Sequence, residues 1–144
     1  MTHSDKGNYS LKHPPGTTIN QRIAEKLEEK IVDGKIDCAA AHKIAEELGV
    51  KPEEVGVAVD LLEVRIGMCQ LGLFGYGVHG KIVEPAEKVS PEVNAAVGKS
   101  LMGEKLSCLD SWKIAEEFGV SRMEISAACE KLKIKISSCQ IGSF

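Results

Sequence analysis

A chain of 144 residues with a formal charge of −3 at pH 7 has room for one ordinary domain or two very small ones. Apolar residues make up 43% and aromatics only 4%, so the core has to be built from Ile, Val, Leu and Ala. No stretch approaches the roughly 20 apolar residues of a membrane helix, and MTHSDKGNYSLKHPPGTT carries no apolar leader core, which points to a cytoplasmic chain with no membrane partner and five reduced cysteines.

Residues 1–17 are polar and rich in Pro and Gly, and are expected to form a flexible arm. Ile19, Ile23, Leu27 and Ile31 recur every four residues and predict a helix over 19–33, opened by Thr18 and Gln21 in a capping box and stopped by Gly34. A short extended piece, KID, follows, and Asp37 is a natural cap for a second helix with Ala41, Ile44, Ala45 and Leu48 on its apolar face. Gly49 marks a tight turn. A third helix starts near Pro52 and turns Val55, Ala58, Val59 and Leu62 inward. The alternation through Val64, Ile66 and the string CQLGLF suggests a strand. GYGVHGKIV (75–83) is either a turn with a return strand or a linker.

The same order then recurs. Ser90-Pro91-Glu92 starts a helix over 91–102 with Val93, Val97 and Leu101 on one face, and Gly103 stops it. KLS, a cap at Ser107, a helix to Phe118, a turn at Gly119 and a helix from Arg122 come next. Sliding the chain by 70 residues aligns 36–74 with 106–144 without a gap, and 16 of 39 positions are identical. KIAEELGV meets KIAEEFGV, and CQLGLF meets CQIGSF. A tandem duplication is expected, with a first unit at 18–84 and a second at 85–144.

In each unit an Ala is followed four residues later by Gly and ten later by a β-branched residue: Ala45, Gly49 and Val55, then Ala115, Gly119 and Ile125. The pattern resembles the helix-turn-helix. The Ala lets two helices cross closely, the Gly permits the sharp turn, and the β-branched residue anchors the third helix. With a helix before and a strand after, each unit resembles a small winged-helix domain, although the second has residues for one wing strand at most. The expected fold is therefore mainly α with short β-strands, as two tandem winged-helix-like repeats.

That resemblance implies binding of double-stranded DNA and transcriptional regulation, with the third helix in the major groove. Charge distinguishes the two units. Residues 20–84 carry eight basic against twelve acidic groups, whereas 85–144 carry eight of each. The second unit is the expected reader, with Ser121, Arg122, Met123 and Ser126 facing the groove and Lys133 and Lys135 on phosphates. The alternative is a protein–protein interaction, self-association or assembly module on the same scaffold. A thiol-based metal or redox sensor is the third reading, because Cys38 matches Cys108 and Cys69 matches Cys139. No CxxC occurs, however, and small buried residues explain these positions more simply. Gly75, Gly77 and Gly80 spell GxGxxG, but Pro85 follows where a dinucleotide site needs a helix. No nucleophile–base pair or carboxylate pair stands out, so no enzyme, cofactor or metal is expected.

Overall fold

Apolar periodicity builds the helices, and side-chain caps decide where they begin. The computed structural model describes residues 8–144. Helix α1 spans Gln21–Lys30 and buries Ile23, Ala24 and Leu27. Its cap is Asn20, whose side-chain oxygen accepts from the N–H groups of Arg22 and Ile23 at 2.9 and 3.3 Å. The expected box on Thr18 and Gln21 is not the start. Gly34 is not the stop either, because Ile31 is already extended. Val32 and Lys35 exchange backbone hydrogen bonds of 2.9 and 3.0 Å across a two-residue turn. Asp33 and Gly34 both have positive φ there, 52° and 72°, as an Asp-Gly hairpin turn requires.

Strand β1 (Lys35–Asp37) leads into α2 (Cys38–Leu48), α3 (Pro52–Leu61) and β2 (Arg65–Gly67). Then come α4 (Pro91–Ser100), β3 (Lys105–Ser107), α5 (Cys108–Phe118), α6 (Arg122–Leu132) and β4 (Lys135–Ser137). Described residues are therefore mainly helical with a few short strands. Gly49 and Gly119 close α2 and α5 in the left-handed conformation, at φ 66° and 64°. Ala41, Ile44 and Ala45 of α2, and Val55, Ala58 and Val59 of α3, are at most 2% exposed.

Strand β1 lies parallel to β2, with Lys35 opposite Arg65, Ile36 opposite Ile66 and Asp37 opposite Gly67. Strands β3 and β4 repeat this, with Lys105 opposite Lys135 and Leu106 opposite Ile136. The strings 69–74 and 139–144 are turns rather than strands. Met68 and Ser138 take positive φ, 50° and 56°, and end each ladder before the string begins. Segment 75–83 holds a 3-10 turn at Gly77–His79 and no return strand, so no wing hairpin follows a third helix among the described residues.

The chain divides into two compact units, and the division does not follow the order of the elements. One unit holds the described residues up to Cys69 together with Gln140–Phe144, and the other holds Gln70–Cys139. Residues 9–12, expected within a flexible arm, form a 3-10 turn with Tyr9 only 3% exposed. The first seven residues of that arm lie outside the described residues.

Candidate functional site

The sequence-predicted site divides into two parts. Ser121 caps α6 and accepts a 3.1 Å hydrogen bond from the Glu124 N–H, so its hydroxyl already has a structural task. The Arg122 guanidinium lies 3.5 Å from the centre of the Trp112 ring and donates a 3.2 Å hydrogen bond to the side-chain oxygen of Gln70. Stacking and hydrogen bonding together hold the Arg against its own unit. The Met123 side chain packs so closely on Gly72 that a Cβ there would meet its sulfur at 3.2 Å. Ser126 is 1% exposed, and its hydroxyl has no hydrogen-bond partner among the described residues. Segment 70–72 thus lies over the start of α6, and the Ala86 N–H donates to the Ala127 carbonyl at 3.0 Å. Lys133 and Lys135 lie elsewhere, exposed at the end of α6 and on β4.

Helix α3 of the other unit is covered at the corresponding places. A Cβ at Gly56 would collide with the Ile141 carbonyl, so that helix and the 139–144 string are in backbone contact. Asp60 is 6% exposed and lies 2.8 Å from His13 Nε2 and 3.1 Å from Lys12 Nζ. The Lys12 ammonium also donates to the Gly142 carbonyl at 2.9 Å. Just past α3, both carboxylate oxygens of Glu63 accept from the backbone N–H groups of Tyr9 and Ser10, each at 2.9 Å. These bonds, those from Ser10 first, lower the Glu63 pKa. In α6, Glu130 pairs with Lys81. Asp60 and Glu130 stand 70 positions apart, and each holds a lysine from a covering segment.

Sequence reasoning missed the partners Gln70, Ile141 and Tyr9–His13. The one available signal was the recurrence of the CQ-x-G-x-F string at 69–74 and 139–144, which speaks for a shared packing task.

Cys38 and Cys69 belong to the first unit, and Cys108 and Cys139 to the second. No disulfide joins any of these four or Cys129. Among the described residues no group of three or more His, Cys, Asp or Glu side chains could hold a metal ion. Cys129 is core, and burial, with Glu130 second, pushes its thiol up to about 11. The glycines at 75, 77 and 80 surround a 3-10 turn with no strand before it and no helix directly after it, so they do not form a dinucleotide cradle. No described helix is long and apolar enough to cross a membrane.

No family model, curated protein or solved structure matches this chain.

Proposed function

We infer that the chain is a protein-interaction module made of two tandem helix-turn-helix units that arose by duplication. In this reading its third helices hold segments of the chain itself instead of DNA, and a partner docks on other surfaces. One observation carries it: the outward faces of both third helices are occupied by other parts of the chain. Gly56 is in backbone contact with Ile141, Met123 at the start of the other third helix packs on Gly72, and Ser126, the position equivalent to Gly56, is buried. Arg122, the residue best suited to a guanine edge, is held by Trp112 and Gln70. Base readout requires free side chains at the start of the third helix, and a net charge of −3 adds repulsion from phosphate.

The DNA-binding reading retains one supporting observation, the exposed Lys131, Lys133 and Lys135 around the end of α6. Such lysines offer salt-dependent attraction without sequence selection. Repeated selection from a random duplex pool at low salt separates the two readings. The interaction reading expects no enriched sequence. An enriched site whose binding falls on Arg122→Ala, by about 1–3 kcal/mol, would reject it.

A further inference from the structure

Each unit displays the same unusual row of side chains. Across β1 and β2, Lys35 stands directly opposite Arg65, and across β3 and β4, Lys105 stands opposite Lys135. Residues opposite one another on paired strands point to the same side, and like charges so placed repel. All four cations are exposed. None has an ion-pair partner among the described residues, although in the first row the exposed Asp37 stands two residues after Lys35 on the same side of β1. The row continues through the turn bridges, which set Val32 beside Lys35 and Met102 beside Lys105. Val32 is 70% exposed and Met102 is 74% exposed, among the most exposed large apolar residues described. An acidic protein thus carries, in both units, an aliphatic side chain beside two cations that have no ion-pair partner among the described residues.

We propose that each row is a docking point for an acidic, apolar-containing protein segment. This rests on the protein-interaction reading above and names the chemistry of the partner. Two adjacent cations suit a pair of carboxylates, and the exposed Val or Met suits an aliphatic side chain on the same segment. A nucleic-acid backbone would satisfy the cations but offers nothing to the aliphatic group. The rows also contain no aromatic side chain for bases to stack on. The second row is the stronger of the two, because Lys133 is exposed two residues before Lys135. The corresponding position in the first unit is Glu63, which binds Tyr9 and Ser10.

The test uses the full chain and a fluorescent eight-residue peptide alternating Glu and Leu, with a Ser/Leu peptide and a 30-base-pair duplex as comparisons. Anisotropy at low salt should show binding of the Glu/Leu peptide. Binding should weaken at least tenfold in a Lys105→Glu, Lys135→Glu double variant and severalfold in Met102→Ser. The Met102→Ser loss should persist as salt is raised. Thermal melts confirm that the variants, all at exposed positions, remain folded. No binding of the Glu/Leu peptide, or equal binding by the double variant, overturns the proposal. Tighter, lysine-dependent binding of the duplex also overturns it by making the partner a nucleic acid. Failure with the peptide alone leaves the interaction reading standing, since that reading falls only to sequence enrichment in the duplex selection.

Discussion

Gly56 and Ser126 occupy positions 70 residues apart but meet opposite demands. At Gly56 any side chain would strike the Ile141 backbone. At Ser126 a hydroxyl is buried with no hydrogen-bond partner among the described residues. Gly56→Ala should therefore destabilise the protein by about 1–3 kcal/mol through overpacking. Ser126→Ala should be neutral or stabilising by about 1 kcal/mol, because it removes an unsatisfied polar group. Urea titrations of the two variants would check this, and similar losses in both would refute it. The cysteines separate by burial in the same way. With its pKa pushed to about 11, Cys129 is roughly one part in a thousand thiolate at pH 8. Cys139 is the one half-buried cysteine among the five, the others being buried. Iodoacetamide at pH 8 should modify Cys139 first and Cys129 last, with mass spectrometry of timed digests as the readout.

At the scale of elements, the 3-10 turn at Tyr9–Lys12 depends on carboxylates in and just after α3. Glu63 accepts from two backbone N–H groups, and its pKa lies below the ordinary 4.5. A carboxylate lowered in the folded state contributes stability that is fully present above its unfolded value. That contribution disappears as pH falls through the folded value. Protection of the Tyr9 and Ser10 amides, relative to the intrinsic exchange rate at each pH, should therefore fall below about pH 4.5, and Glu63→Gln should remove that acid-dependent step. Asp60 anchors the next two residues of the segment through Lys12 and His13. Asp60→Ala removes a buried, charge-assisted pair of contacts and should cost about 1.5–3 kcal/mol. Limited proteolysis near residues 8–13 should quicken in step. Unchanged cleavage there would mean that Tyr9 burial and the Glu63 bonds hold the segment without Asp60.

For the whole molecule, the chain passes from one unit to the other after Cys69 and returns after Cys139. Gln140–Phe144 therefore completes a unit whose other residues end at Cys69. Ile141 is 1% exposed, and burying it contributes about 1.5–3 kcal/mol. Gly142 supplies the carbonyl that binds Lys12. Ending the chain at Cys139 should lower hydrogen-exchange protection in α1, α2 and α3 while leaving α5 and α6 close to wild type. Greater loss in α5 and α6 would contradict the assignment of the last five residues.

Local chemistry in the sequence was enough to determine the helices, the turns at Gly49 and Gly119 and most of the core. Periodicity, glycine at positive φ and small residues at a helix crossing all act within about a dozen residues. Sequence also separated Lys133 and Lys135 as exposed cations. It could not decide what lies over α3 and α6, because Gln70 and Ile141 are far along the chain from Arg122 and Gly56. The expected strand at CQLGLF failed for a related reason: Cys69 and Leu71 are buried by tertiary packing of a turn, whereas alternation alone reads as pleating. Likewise Ser126, small and polar, suits a groove-facing position until tertiary packing buries it. Which surface remains free for a partner is a property of assembled elements, and only the tertiary structure decided it.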